Sequence, residues 1–336
     1  MKISLDAAAL CAKEDNQFGN YTFTSNLLKA IALYGKKNDY YLYSFCNQDQ
    51  DLKLGANMHF KKITPRLFWS KVRVGIEEII HRKDLYLALN QSLPITTFSK
   101  IVSFSHGLSF KFYQGLYKNY DTLNEQLEEL MKNSDMIVVS SKRVKHEVVE
   151  ISPKLEKKIA VIPFGIPFDM PLLKKKTKKE KFFLHVGMDH PVKNVQFIID
   201  AFKKLRKSKK FRDYRLVLAG YTQKIKDPNV KAIPYVDRVA LRKMYQKATA
   251  LLTSSFYESF NLPVLEALSQ KTQVVGLREA IVPEFRGYVR MADDLDEFVE
   301  LMKKTVTKPF RVKNDLEKIF SWKKYVRDLE KIFELA

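Results

Sequence analysis

The sequence predicts two α/β domains in tandem, each built on a doubly wound, mainly parallel sheet. Three observations carry this. The chain has 336 residues, which is two domains at roughly 150 residues each. Short apolar runs bounded by turn residues alternate with segments of helical periodicity along its length, the pattern of a parallel sheet covered on both faces. The alternation breaks once, at Pro163, Gly165, Pro167 and the charged run Lys174–Lys181, and then begins again. We place the domains at 1–168 and 169–318, followed by a short last segment at 319–336.

In the first domain, Lys2–Ala9 reads as a buried strand and is followed by a polar turn, Asn16–Tyr21, that contains Gly19. Tyr21–Tyr34 repeats Phe23, Leu27, Ile31 and Tyr34 at helical spacing. Tyr40–Phe45 and Met58–Ile63 are strands. Leu67–Ile80 reads as an amphipathic helix with Trp69, Val72, Ile76 and Ile79 on one side. Leu85–Leu89, Lys100–Ser105, Met136–Ser140 and Ile159–Ile162 are further strands, with helices at Asn124–Met131 and Arg143–Val149. In the second domain, strands are expected at Phe182–Val186, Tyr214–Ala219, Val230–Ile233, Ala250–Thr253 and Thr272–Gly276. Helices are expected at Asn194–Leu205, Val239–Tyr245, Pro263–Ser269, Leu295–Lys303 and Tyr325–Phe333. Ligands of such folds bind where the strands end at their carboxyl termini.

Composition narrows the classes of function. Hydrophobic residues are 46% and charged residues 29%, which is globular rather than disordered. Cys11 and Cys46 are too few for a disulfide framework or a four-ligand zinc site. Asp6 and Lys13 interrupt any leader-like apolar stretch, and no window of 18 apolar residues predicts a membrane span. A cytoplasmic protein is expected, either soluble or peripheral on the inner face of the cytoplasmic membrane. The net charge is +21, of which residues 171–336 carry +16. Much of it lies in Lys174–Lys181, a linker candidate, and Lys203–Lys210, a helix tail. Such a field attracts polyanions, anionic lipid or phosphorylated small molecules, and it also suits plain solvated helix faces. No nucleic-acid motif accompanies it, so no specific nucleic-acid partner is expected.

Five strand ends hold residues that could carry chemistry. Thr253–Leu268 reads TSSFYESFNLPVLEAL. Glu258, Ser259, Phe260 and Asn261 occupy the loop, Pro263 suits the first helical turn, and Glu266 follows one turn inside. Backbone N–H groups at that helix start can bind phosphate while the carboxylates accept from sugar hydroxyls. A solvated Glu258 and a Glu266 that serves only the helix N-terminus would look the same in sequence. Val186–Asn194 reads VGMDHPVKN, where Gly187 allows close backbone approach and Lys193 offers a point charge to phosphate. His190 there reads as a loop cap. Gly19, His106-Gly107, and Ser140–Arg143 with Ile162–Gly165 are the remaining strand-end candidates.

Taken together, these loops resemble those of the retaining glycosyltransferases of family 4 (glycosyl transferases group 1), some of them mannosyltransferases. Glu258 and Glu266 match the family's paired glutamates, and Phe260, Leu262 and Pro263 the motif between them. Gly187, Lys193 and Asn194 match the segment whose lysine binds the donor diphosphate. Gly19, His106, Ser140, Val161–Gly165, and Pro283, Glu284 and Gly287 match further landmarks in order. Phe320-Ser321-Trp322 and the helix after it look like the family's return to the first domain.

The resemblance implies a GT-B fold of two Rossmann-like domains facing across a cleft. It implies transfer of a hexose from a nucleotide diphosphate sugar, GDP-mannose or a UDP-sugar, with retention. The acceptor is expected to be a saccharide or lipid-linked saccharide hydroxyl in polysaccharide biosynthesis. His106, Lys193 and Glu258 are the implied catalytic residues. Gly19, Gly187, Met188, Lys193, Ser259, Phe260, Asn261, Leu262 and Glu266 are the implied donor-binding residues. No cofactor or metal is expected, and an anionic membrane surface, met through Leu67–Ile80, is a candidate partner. The competing class is a noncatalytic nucleotide-sugar or polyanion binder. This chain departs from the common pattern at Met188, where an arginine is frequent, and at Gly107, where an aspartate is. Ser259 and Asn261 stand where glycines are common.

Overall fold

A computed structural model describes residues 1–13, 19–48, 52–175, 177–310, 312–313 and 315–336. Asn16, in the first polar turn, lies outside the described residues. The chain divides into two compact units, Met1–Gly165 with Phe320–Ala336, and Ile166–Ile319.

The first unit holds a seven-stranded sheet: β1 (Lys2–Asp6), β2 (Asp39–Ser44), β3 (Met58–Lys62), β4 (Leu85–Ala88), β5 (Lys100–Ser105), β6 (Met136–Val139) and β7 (Ile159–Val161). Their order is β3-β2-β1-β4-β5-β6-β7, and every pair is parallel. The second unit holds six strands: β8 (Phe182–Val186), β9 (Arg215–Ala219), β10 (Val230–Ile233), β11 (Ala250–Thr253), β12 (Gln273–Leu277) and β13 (Arg290–Ala292). Their order is β10-β9-β8-β11-β12-β13, again all parallel. β4, β6 and β11 are buried along their whole length, as the unbroken apolar runs require. No described helix is long and apolar enough to cross a membrane.

The C-terminal helix Trp322–Leu335 belongs to the first unit, where Trp322 and Tyr325 gather round Phe23 together with Phe104 and Phe164. Gly165 permits this, because a Cβ there would stand 2.5 Å from two ring atoms of Trp322.

Cys11 and Cys46, too few for a framework, form a single disulfide, with Cα atoms 5.6 Å apart. Three expectations need correction. β1 stops at Asp6, and Ala8–Cys11 coil into a 3-10 turn. The described residues of the Lys174–Lys181 run belong to the second unit rather than to a linker. Thr177 and Lys179 bond the carbonyl of Gln246, and Glu180 N–H bonds the Lys247 carbonyl, so these three residues lie along that unit.

The third concerns Leu67–Ile80. Trp69–Arg73 form a π-helical turn and only Val74–Ile80 is α-helical. The wider turn rotates the face that follows. Trp69, Val74, Gly75 and the acidic Glu78 point inward, while Ile76, Ile79 and Ile80 point out. Glu78 is held inside by Tyr43 Oη at 3.0 Å and Ser99 Oγ at 2.6 Å.

Candidate active site

Two loops of the second unit meet where β8 and β11, neighbours in the sheet, end. Gly187 N–H bonds the Ala219 carbonyl at 3.0 Å, holding the β8 and β9 ends together. Gly220 lies under this contact at φ +86°, where a Cβ would stand 2.4 Å from the Gly187 oxygen. Only glycine meets both demands. The chain then makes a 3-10 turn, Pro191–Lys193, capped by His190, whose Nδ1 accepts from Val192 N–H. Asn194, at φ 49°, redirects the backbone into the helix Val195–Arg206.

The loop after β11 is stitched to that turn. Phe256 N–H donates to the Val192 carbonyl, and Ser254 Oγ to the carbonyls of Lys193 and Asn194. Lys193 Nζ thereby reaches Glu258 Oε1 at 2.6 Å, and Ser255 Oγ donates to the same oxygen at 2.6 Å. Glu258 is buried and paired, which excludes the solvated alternative. Phe260 is buried against Phe285. Asn261 takes φ 66° before the helix Leu262–Ser269 and donates from Nδ2 to Thr253 Oγ1 and the Ala280 carbonyl. Asparagine tolerates this left-handed conformation better than most residues, so the departure from glycine keeps the backbone geometry and adds two hydrogen bonds. Ser259 and Leu262 are partly exposed, and Met188 is exposed.

Glu266 is buried on that helix. Arg238 Nη2 donates to its Oε1 at 2.7 Å and Tyr245 Oη to its Oε2 at 2.8 Å. Arg238 also grips Asp169 with Nε and Nη2. Burial pulls the Arg238 guanidinium down, but Glu266 and Asp169 outweigh it and leave the group above its ordinary value. Burial and the neighbouring Glu266 hold the Tyr245 phenol well above its usual range. Glu266 is therefore a fixed anion rather than a loose helix-end charge, with lone pairs beyond the two in use.

Gly19 and His106 belong to the first unit. Gly19 opens the helix Gly19–Tyr34, and a Cβ there would meet nothing within 4 Å, so no close packing requires the glycine. His106 Nε2 donates to the Leu89 carbonyl at 2.6 Å and its ring meets Phe23 edge-on. Burial keeps the ring below its ordinary pKa, against the pull of that carbonyl. Gly107 has φ 122°, which accounts for a glycine where an aspartate is common.

Sequence reasoning missed Ser255, Arg238, Asp169 and Tyr245. Arg238, Asp169 and Tyr245 act through partners distant in the chain, and Ser255, three residues before Glu258, carries no signal beyond its place in the loop. The same reasoning also missed His185, buried in β8 two residues before Gly187.

Comparison with known proteins fits this geometry. Residues 173–325 match the family described as Glycosyl transferases group 1. The chain is 24% identical over 257 residues to the O-antigen chain mannosyltransferase B of Escherichia coli, covering 70% of this chain and 66% of that protein. It is 27% identical over 228 residues to a probable sucrose-phosphate synthase of Thermosipho melanesiensis, covering 60% of this chain and 52% of that one. The chain thus matches less than two thirds of the length of these curated relatives. Among solved structures, a sucrose-phosphate synthase of Thermosynechococcus elongatus superposes with TM-score 0.73 at 14% identity, covering 99% of this chain and 98% of that one. Anabaena Alr3699/HepE in complex with UDP and glucose does so with TM-score 0.72 at 12% identity, covering 99% of each. Residues 173–325, nearly all of them in the second unit, thus match glycosyl transferases group 1, and the chain has the GT-B fold.

Proposed function

We propose that this chain transfers a hexose, with retention, from a nucleotide diphosphate sugar to a saccharide or lipid-linked saccharide hydroxyl. The observation that carries it is the Lys193–Glu258 pair, set at the ends of β8 and β11 beside the start of the helix Leu262–Ser269. A diphosphate entering there replaces Glu258 as the partner of Lys193 and meets the helix N-terminus. Stabilising the departing diphosphate is where preorganised charge lowers the barrier most. Glu258, released, accepts from the sugar hydroxyls. Glu266, oriented by Arg238 and Tyr245, accepts from the ribose. Gly187 and Asn261 shape the loops, and Met188, Ser259, Phe260 and Leu262 line or support the donor. Gly19 and His106, in the first unit, keep the donor-binding and catalytic roles that the resemblance implies. The acceptor hydroxyl attacks on the face the diphosphate leaves, its proton passing to the diphosphate. The mannosyltransferase relative favours a mannose donor, for which GDP-mannose is the candidate, and the UDP and glucose complex of the similar fold favours a UDP-sugar.

The test is turnover of radiolabelled GDP-mannose, UDP-glucose, UDP-galactose and UDP-N-acetylglucosamine, with calorimetry of GDP, UDP and ADP. Sugar transfer from one donor is expected. Nucleotide binding without transfer to saccharide or lipid-linked acceptors would leave only a binder, and no nucleotide binding would overturn the reading altogether.

The outward isoleucines favour an anionic membrane as the surface on which such an acceptor is met. Leu67 and Phe68 are 69% and 70% exposed, and Ile76, Ile79 and Ile80 follow on the same helical segment. The loop carrying exposed Ile95 and Phe98 is tied to it by Ile95 N–H bonding the Lys71 carbonyl. Arg66 and Arg82 are exposed beside these residues, with Arg82 over the Phe98 ring at 4.3 Å. Apolar insertion combined with about 1 kcal/mol per basic residue near an anionic surface suffices for reversible binding. Flotation with phosphatidylglycerol vesicles is expected to recover the protein, and Phe68→Ser with Ile80→Ser to abolish this. Equal recovery of parent and variant would reject the face.

A further inference from the structure

The sugar-transfer scheme leaves one buried polar atom beside its charged pair unused. His185 Nδ1 lies 3.1 Å from the Leu252 carbonyl. A carbonyl only accepts, so Nδ1 carries the ring proton and Nε2 keeps its lone pair. Burial, with Lys193 adding to it, holds the ring down to about 4 against the opposing pulls of the Leu252 carbonyl and Glu258. The ring is neutral near pH 7. Among the described residues nothing donates to the buried Nε2. A buried acceptor left without a donor is unfavourable.

Its surroundings indicate which donor it serves. A Cβ on Gly187 would stand 3.2 Å from His185 Nε2 and 3.6 Å from Cγ and Cδ of Lys193. Glycine therefore leaves open the space between the imidazole lone pair and the lysine stem. The Lys193 ammonium has three protons, and the described hydrogen bond to Glu258 uses one.

We propose that His185 is a positioning residue whose Nε2 is a second seat for the Lys193 ammonium, taken when a diphosphate enters and the lysine turns away from Glu258. This deepens the sugar-transfer reading and rests on it. The physical gain is in charge. Paired with the Glu258 carboxylate, Lys193 presents little net charge to a phosphate. Held by a neutral imidazole, it presents its full charge and stays oriented, and the Glu258 oxygen it occupied becomes available to sugar hydroxyls. The change exchanges hydrogen bonds only.

Histidine 15N spectra of the intact protein test it, recorded as UDP, GDP and ADP are added in turn, with calorimetry of the same titrations. The His185 Nε2 resonance is expected at the lone-pair position in the free protein and to move upfield with the nucleotide that binds. In Lys193→Met it should not move. Binding by calorimetry with an unmoved Nε2 overturns the second seat and leaves the transfer reading intact. No binding by any of the three overturns both. In steady state, His185→Phe is expected to lower kcat about tenfold with nucleotide Kd within twofold of the parent, and His185→Gln, which restores an acceptor, to recover most of it. A parental kcat in a folded His185→Phe protein also overturns the proposal. The spectra decide if that variant does not fold.

Discussion

Replacing Lys193 by methionine separates what the Lys193–Glu258 pair does for the fold from what it does for the reaction. The two side chains are 17% and 11% exposed. Removing one partner of a fully buried pair costs about 3–5 kcal/mol. Here the residual exposure and the Ser255 hydroxyl on the same oxygen reduce that to about 2 kcal/mol for Lys193→Met. In a unit of this size the melting temperature should fall by about 4–8 °C. Adding Glu258→Gln removes the stranded carboxylate, so the double variant should regain most of the loss, and the cycle should show a coupling of about 1–2 kcal/mol. Sugar transfer should behave otherwise. Losing a preorganised charge at the leaving group costs about 100- to 1000-fold in kcat, and the second substitution restores nothing. Thermal melts and transfer of radiolabelled sugar at saturating donor measure the two effects. Near-parental transfer by Lys193→Met would refute the phosphate role. A double variant no more stable than the single would refute the description of the pair as buried and coupled.

Further substitutions test other parts of the structure. Glu266→Gln should weaken nucleoside diphosphate binding about tenfold by calorimetry, since it removes the anion and leaves Arg238 without one of its two carboxylates; unchanged affinity would reject the ribose role. Asp6→Asn should stabilise the first unit above pH 6. Burial raises the Asp6 carboxyl to about 6 against the pull of the Asn90 amide and the Ala8 N–H, so the folded state pays for ionisation, fully above pH 6 and not at all below about 4. The gap from 3.8 amounts to about 3 kcal/mol at most. Denaturant melts at pH 5 and 7.5 should therefore show a parent-to-variant difference that grows with pH. Gly165→Ala should cost about 3 kcal/mol or more, because the new methyl meets Trp322 at 2.5 Å, and proteolysis of the loosened helix Trp322–Leu335 should rise; an unchanged cleavage rate would reject that packing.

How much of this was legible in the sequence depends on the range over which each cause acts. The alternation of strands and helices is local, and twelve of the thirteen strands among the described residues follow from it. β13 was missed because Arg290–Ala292 offers three residues, the first charged, with Asp293 and Asp294 directly after, and its strand character comes from pairing with β12. The loops VGMDHPVKN and TSSFYESFNLPVLEAL stood out as candidate ligand loops because glycine, proline and the strand ends mark them. Their meeting was not derivable from spacing. Lys193 and Glu258 are 65 positions apart, and only the strand order, which seats β8 beside β11, brings them together.

The failures share a physical form. Hydrophobic periodicity assumes that the apolar face of a helix is the buried one, and at Leu67–Ile80 it assigns Ile76 and Ile79 to the core. The π turn at Trp69–Arg73 shifts the phase, and Glu78, with hydroxyl donors waiting on Tyr43, Thr97 and Ser99, takes the inside position. A buried carboxylate is tolerated when its hydrogen bonds are met, and no periodicity reports those partners. The same holds for Glu266 with Arg238 and Tyr245. In both places the side chain whose burial looks least favourable in sequence is the one the tertiary polar network fixes most firmly, and the apolar groups it displaces, Ile76, Ile79 and Ile80, are left facing out.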